Sequence, residues 1–161
     1  MKKIAVILAS LLALTGCSAA PAIETSDLWV KSSEMSVVGG MTAVFGTITN
    51  NSSEEIILTG GETDVAAVVE IHEMAMIDGE MKMQEIGGGL VIPAGQSVTL
   101  EPGGDHIMLM ELTQGIEAGQ EISVTLNFDG AESLTLNGIV AKPSEGGDEE
   151  YHKHEGEDHN H

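Results

Sequence analysis

The alternation of histidine and methionine between residues 72 and 110 constrains the fold of this chain more than any other feature. This stretch holds six of the nine methionines and two of the six histidines. Successive side chains of a β-strand point to opposite faces, so residues spaced by two share one face. The residues with this spacing are His72, Met74, Met76, Met81, Met83, His106, Met108 and Met110. The alternation therefore predicts β-strands with one His/Met face.

An Asp-Gly pair divides the first part of this stretch into two strands. Asp78-Gly79, flanked by alternating residues, is the strongest short signal for a hairpin with a type I′ turn. A two-residue loop there pairs Ile77 with Glu80, Met76 with Met81, Met74 with Met83 and His72 with Glu85. Met83 is then diagonal to His72, within reach of a long side chain. A third strand carrying His106 and Met108 would complete a cluster of imidazoles and thioethers.

Core packing and metal binding compete as explanations of this His/Met face. Methionine is flexible and apolar, so alternating methionines commonly fill a core. Thioether with imidazole is, however, the ligand set that selects the soft ion Cu(I), whereas Mg²⁺ and Ca²⁺ prefer oxygen. A buried imidazole also needs partners for its ring nitrogens. Histidines that share the methionine face therefore favour a metal site.

The rest of the chain indicates a single all-β domain at residues 27–142. Short strands rich in β-branched residues alternate with glycine-rich turns, and no amphipathic helix pattern is visible, which favours a sandwich or barrel. The turn Pro102-Gly103-Gly104 leads directly into His106, so we expect a rigid corner there. Outside the hairpin and the strand from His106, we predict strands at residues 27–31, 41–50, 55–60, 66–73, 90–92, 97–100, 120–128 and 133–140.

Residues 1–16 are predicted to be a lipoprotein signal peptide. Basic Lys2 and Lys3 precede an apolar run from Ile4 to Leu14, which is too short to span a bilayer. The Leu-Thr-Gly-Cys ending resembles a bacterial lipobox, which implies cleavage before Cys17 and a lipid on its sulfur. Residues 17–26 would then be the lipidated cysteine and a short tether.

Charge and cysteine content exclude several classes of protein. The net charge is −20 and no arginine is present, so the phosphates of a nucleic acid would be repelled. Cys17 is the only cysteine, so an intramolecular disulfide is excluded, as is a blue-copper electron carrier, which needs a cysteine ligand.

The C-terminal residues 143–161 differ in composition from the domain. They are acidic and almost free of apolar residues, so we expect a disordered tail. The tail carries His152, His154, His159 and His161, and short His-rich tracts commonly bind metal. Because imidazole nitrogen suits Cu(II), the tail is a candidate second metal site. A purely solvated acidic extension is the alternative.

The segment around these ligands closely resembles the PCuAC family of bacterial extracytoplasmic copper chaperones. The family motif is His, ten residues, Met, about twenty-one residues, His-x-Met. Here His72 is followed by ten residues and Met83, then by twenty-two residues and His106-Ile107-Met108. The resemblance covers roughly residues 29–140, and a glycine-rich loop can absorb the extra residue.

This resemblance implies a cupredoxin-like, Greek-key β-sandwich that binds one Cu(I) through His72, Met83, His106 and Met108. It also implies that the protein is not an enzyme and delivers copper to a cytochrome oxidase subunit or its assembly factors. With the lipid on Cys17, the protein is expected outside the cytoplasm and anchored to a membrane. Met74, Met76, Met81 and Met110 would form a surrounding apolar shell, although Met74 or Met81 could substitute as a ligand.

Three other functions compete with copper delivery. In the first, the tail histidines scavenge Zn(II) or Cu(II), and the methionine face belongs to the core. Because Zn²⁺ prefers His, Cys and carboxylate ligands to thioether, competition between copper and zinc distinguishes this function from copper delivery. The second is a hydrolase that uses His72 or His106 with Glu70, Glu73 or Asp105. No sequence motif around a nucleophilic residue supports this function. The third is a structural adhesion domain, which leaves the His/Met pattern unexplained.

Overall fold

Ten β-strands form the domain in the computed structural model, which describes residues 21–144. They are β1 Ile23–Ser32, β2 Met41–Asn50, β3 Ile56–Glu62, β4 Ala66–Ile77, β5 Glu80–Glu85, β6 Leu90–Ile92, β7 Ser97–Leu100, β8 His106–Leu112, β9 Glu121–Asp129 and β10 Leu134–Pro143. Within the described range no helix has the length and hydropathy needed to span a membrane. The all-β prediction is confirmed.

The strands follow one hydrogen-bonded path in the order β5-β4-β8-β2-β1-β10-β9-β3-β6, and β7 also pairs with β2. All pairs are antiparallel except β1 with β10, which is parallel. Strands from both halves of the path contribute to one buried cluster that includes Val44, Leu58, Ile71, Ile107 and Leu126. The path therefore folds back on itself into two layers around an aliphatic core.

Strand β1 begins earlier than the sequence indicated. Residues 23–26, which we assigned to the tether, pair with β2 as the first half of the strand. Their pairing depends on contacts distant in the chain, and a small polar sequence carries no local signal for it. Strand β1 therefore includes residues that the sequence assigned to the tether.

A bulge in β1 turns its second half toward the His/Met face. The register with β2 shifts between Ser26 and Trp29, and Asp27 has a positive φ of 55°. The opposing residue is Gly46, where a Cβ would lie only 2.8 Å from a methyl group of Leu28. The absence of a side chain there admits the bulge, which re-aims the following residues. Trp29 is then paired with Phe45.

Candidate metal centre

His72 and His106 lie directly opposite each other on the neighbouring strands β4 and β8. Their ring centroids are 5.7 Å apart and the ring planes are inclined by 62°. Both side chains are buried, with exposed fractions of 0% and 5%. The predicted third strand therefore brings the two imidazoles together at the centre of the face.

A tight turn immediately before β8 sets the position of His106. The amide of Gly104 donates to the carbonyl of Glu101 at 3.0 Å, and Gly103 has a φ of 80°. With Pro102 before it, this is a type II turn. The carbonyl of Gly104 then accepts a 3.0 Å hydrogen bond from Nδ1 of His106. Because a carbonyl only accepts, the neutral ring carries its lone pair on Nε2.

The β4–β5 hairpin brings Met83 to His106. Asp78 and Gly79 both have positive φ, 55° and 86°, as a type I′ turn requires. The predicted pairs between the two strands are all present. The sulfur of Met83 lies 3.1 Å from Nε2 of His106. Strand β4 separates β5 from β8 in the sheet, so the Met83 and His106 side chains meet across β4, and a thioether meets the nitrogen lone pair.

Met108 completes the predicted set. It follows His106 by two residues on the same strand face and is 5% exposed. It lies opposite Ala43 of β2 and Glu70 of β4. Met108 and Met83 belong to one buried cluster with Ala43 and Phe45. The structure thus brings together all four residues of the sequence motif.

These residues occupy the sheet face that points away from the main core. Ile71, Ile107 and Leu109 alternate with them along β4 and β8 and lie in the main core. Alternate residues of a strand point to opposite faces, so the His/Met residues form a second, separate cluster. An aromatic wall borders that cluster, with the Phe45 ring 6.1 Å from His106 and 4.7 Å from Trp29. Filling of the main core does not explain the methionine alternation.

The four methionines of the predicted apolar shell divide into two pairs. Met74 and Met110 are partly buried and pack against the His/Met cluster. Met76 and Met81, near the tip of the hairpin, are 65% and 52% exposed. The expectation that all four form an apolar shell is therefore wrong for Met76 and Met81. The hairpin extends beyond its pairing with β8, which ends at His72, so no neighbouring strand among residues 21–144 flanks its tip.

Glu70 orients His72, a role that the sequence did not indicate. Its carboxylate oxygen accepts a 2.8 Å hydrogen bond from Nε2 of His72. With the proton on Nε2, the lone pair of the neutral ring is on Nδ1, the nitrogen that would coordinate a metal. Metal-binding histidines commonly donate their other N–H to a carboxylate in this way. The one feature of the sequence that could have indicated this contact is the spacing of two, which places residues 70 and 72 on the same strand face.

A carboxylate lies near each of the two imidazoles, Glu70 beside His72 and Asp105 beside His106. Burial raises the pKa of Asp105, and repulsion from Glu73 raises it further, whereas His106 acts in the opposite direction. The negative charge of Glu70 is in direct contact with His72. A site in which neutral donors are flanked by carboxylates favours a cation over an anion.

The donor atoms of the described domain limit the kind of metal site it can form. Among residues 21–144, no three histidine, cysteine, aspartate or glutamate side chains are arranged to hold a metal. Within that range, the buried thioethers of Met83 and Met108 are side-chain donors that could complete a metal site at His72 and His106. Cys17 and the tail histidines His152, His154, His159 and His161 lie outside the described residues.

Comparison with known proteins identifies the family. The family model described as "Putative lipoprotein LpqE-like" matches residues 23–140. A relative from Leifsonia xyli subsp. xyli (strain CTCB07), named "Putative lipoprotein Lxx21020", is 39% identical over 158 residues, which cover 90% of this chain and 92% of the relative.

Solved structures with the same fold are PCuAC domains and a copper-bound protein. The copper-bound PCuAC domain from PmoF2 superposes with a TM-score of 0.60 at 21% identity, covering 78% of this chain and 97% of that domain. The solution structure of CuI-DR1885 from Deinococcus radiodurans gives a TM-score of 0.52 at 26% identity, covering 80% and 82%. The predicted cupredoxin-like sandwich is confirmed. The chain belongs to the LpqE-like family, and its domain has the PCuAC fold.

Proposed function

We propose that this protein is a copper chaperone that carries one Cu(I) on His72, Met83, His106 and Met108. The observation that carries the proposal is the 3.1 Å approach of the Met83 sulfur to Nε2 of His106. The Gly104 carbonyl holds the proton on Nδ1. A nitrogen lone pair and a thioether sulfur therefore converge, as shared coordination of a soft cation requires.

The donor set suits a carrier better than a permanent copper centre. Two imidazoles and two thioethers are neutral, so Cu(I) enters and leaves without a change in the protonation of its ligands. A site that lacks thiolate holds copper less tightly than one that contains it, which favours exchange. The carboxylate of Glu70 would keep His72 in the tautomer that presents Nδ1.

The comparisons support copper as the cargo. One neighbour is named a copper-bound PCuAC domain and another is named CuI-DR1885. The second name specifies Cu(I), and that protein is 26% identical to this chain. We extend copper binding to this chain because its four candidate ligands lie on one face of the same fold.

We further propose that the protein works outside the cytoplasm, tethered to a membrane by a lipid on Cys17. The support is the lipobox-like sequence before Cys17 and the lipoprotein names of the family and of the Leifsonia relative. Attachment would confine the carrier near membrane-bound recipients. By resemblance to PCuAC chaperones, the recipient is the copper centre of a respiratory oxidase or one of its assembly factors.

X-ray absorption at the copper edge tests the ligand set. We expect both nitrogen and sulfur scattering in the full chain loaded with one equivalent of Cu(I). The double variant M83L/M108L should lose the sulfur contribution, whereas M35L, which changes an exposed methionine in the loop after β1, should retain it. A first shell of nitrogen and oxygen alone in the unmodified protein would contradict the proposal.

A scavenger of Zn(II) or Cu(II) acting through the tail is the competing function. It rests on the composition of residues 143–161, which carry four histidines. Competition between Cu(I) and Zn(II) separates the two functions, because zinc disfavours thioether ligands. A carrier that uses the His/Met site should retain Cu(I) in excess Zn(II); a tail scavenger should bind zinc with no response from Met83 or Met108.

A further inference from the structure

Met76 and Met81 form an exposed thioether pair that neither the core nor the proposed site explains. They lie opposite each other on β4 and β5 and are 65% and 52% exposed. Because these two large apolar side chains are so exposed, their burial contributes little to the free energy of folding. They lie on the same strand face as Met83, the proposed ligand, because all three residues follow the period-two alternation.

The hairpin geometry places the two side chains within reach of one ion. Ile77 and Glu80 flank the two-residue turn and form a hydrogen-bonded pair in such a hairpin, so the next pair, Met76 and Met81, is non-hydrogen-bonded. The Cβ atoms of such a pair are roughly 4.5–5.5 Å apart. Each methionine has three rotatable side-chain bonds, so both sulfurs can turn toward one cation between them.

We propose that Met76 and Met81 form a second, weaker Cu(I) site, at which the ion first binds before it moves to the buried site. This inference rests on the proposed function, since it gives the buried site its route of entry. Two thioethers select the same soft ion as the buried ligands. With two protein ligands, the pair binds more weakly than the buried set and releases the ion inward.

A continuous line of thioethers joins the two sites. The next pair on the same face is Met74 and Met83, about 7 Å further along the strands. Met74 is partly buried against the His/Met cluster, and the Met83 sulfur contacts His106. Copper can therefore move by exchange of one thioether for the next. It stays Cu(I) throughout, so no electron or proton accompanies the transfer.

The charges at the hairpin tip also suit a cation. Glu80, next to Met81, is 77% exposed, and Lys82 contacts it at 3.8 Å. Asp78 occupies the turn itself. Because Lys82 offsets the charge of Glu80, Asp78 leaves the tip with one net negative charge, which raises the local concentration of cations by an amount that falls as salt is added.

Methyl NMR of the full chain, labelled with ¹³C at the methionine methyl groups, tests the proposal. Cu(I) is added under anaerobic conditions past one equivalent. The first equivalent should shift Met83 and Met108, which tests the proposed function separately. The second should shift Met76 and Met81 together. Met35, which is 44% exposed, is the control and should not shift.

The outcomes separate the two proposals. If the second equivalent shifts no methionine, or shifts Met35 as much as the pair, the entry site is refuted and the buried site stands. If the first equivalent leaves Met83 and Met108 unshifted, the proposed function fails, whatever happens at the tip.

Substitution of the pair tests its role in transfer. The variant M76L/M81L replaces exposed thioethers with side chains of similar volume and should fold normally. We expect its Cu(I) affinity at the buried site to match that of the unmodified protein, and its rate of loading from a Cu(I)–chelator complex to fall severalfold. The M35L variant should load at the original rate. Equal loading by all three proteins would overturn the role as an entry site.

Discussion

The carboxylate of Glu70 lies 2.8 Å from Nε2 of His72, two residues further along the same strand. This contact links the proposed metal site to a residue that is not one of its ligands. The side chain of Glu70 is 23% exposed, whereas that of His72 is fully buried. The carboxylate therefore reaches from the rim of the site to an imidazole at its base.

Removal of this carboxylate is expected to weaken Cu(I) binding. The E70A variant should lose roughly 10- to 100-fold in affinity, as is typical when a partner of a ligand histidine is removed. E70Q should fall between it and the unmodified protein, because an amide oxygen still accepts from Nε2. Competition with a chromophoric Cu(I) chelator measures both.

E85A is the matched control for charge. Glu85 lies opposite His72 on β5 but its side chain is exposed. If E85A and E70A reduce the affinity equally, the effect of Glu70 is one of general charge, and its assigned role in orienting His72 is wrong.

Substitution of single methionines separates ligands from packing. M83L preserves apolar volume, so we expect the free energy of unfolding to change by less than about 1.5 kcal/mol. Its Cu(I) affinity should nevertheless fall sharply, because the thioether that contacts His106 is gone. M74L, on the opposite strand, should change neither quantity much. Thermal unfolding and chelator competition on the same samples provide the comparison, and a large affinity loss in M74L instead would make Met74 the ligand.

The sequence predicted the hairpin of the site in detail because its determinants are local. Asp78-Gly79 specifies the turn, and with it the register of Met74 and Met83. The Pro-Gly-Gly corner before His106 is likewise a local signal. Both predict strand position without any knowledge of distant contacts.

Which face of the sheet meets the core could not be predicted. Along β8 the residues are apolar on both sides: Ile107 and Leu109 on one, Met108 and Met110 on the other. Alternation separates two faces but does not say which is covered. The exposure of Met76 could not be predicted for the same reason, because Met76 follows the same period-two alternation as Met74, which is partly buried.

The pairing of strands that are distant in the chain could not be predicted from the sequence either. The parallel pairing of β1 with β10 joins the two ends of the domain. Residues 23–26 continue β1 through their pairing with the end of β2, and no local signal in the sequence indicates that contact. The role of Glu70 was missed for another reason: its partner His72 is only two residues away, but a shared strand face does not show that two side chains form a hydrogen bond.

The raised pKa of Asp105 predicts a dependence of stability on pH in the metal-free protein. Burial, then repulsion from Glu73, raises the folded-state pKa above the unfolded value, which is about 4. The resulting stabilisation is present below the unfolded pKa and is lost as pH rises through the folded pKa. D105N carries no charge, so its melting temperature should exceed that of the unmodified protein at pH 7 and match it near pH 3.5. E34Q, at an exposed position in the loop after β1, should show no such difference, and a D105N effect independent of pH would contradict the electrostatic explanation.

Lipidation of Cys17 remains a prediction from the signal sequence. The acylated N-terminal peptide should be found by mass spectrometry of protein extracted from membranes. C17A should appear in the soluble extracytoplasmic fraction or retain its signal peptide. Unmodified Cys17 in membrane-derived protein would overturn the proposed anchor.

The tail histidines are expected to bind Cu(II) independently of the buried site. Imidazole nitrogens suit Cu(II), whereas the thioethers of the domain suit Cu(I). Replacement of His152, His154, His159 and His161 by alanine should abolish an electron-paramagnetic signal typical of nitrogen-ligated Cu(II).

The same variant should bind Cu(I) as tightly as the unmodified chain, because Met83 and Met108 are unchanged. The two measurements together separate three arrangements. Survival of the Cu(II) signal would place that ion elsewhere than the tail. A collapse of Cu(I) affinity would mean that the tail histidines complete the buried site. Loss of the Cu(II) signal with unchanged Cu(I) affinity, the outcome we expect, would establish two sites that hold different oxidation states of one metal.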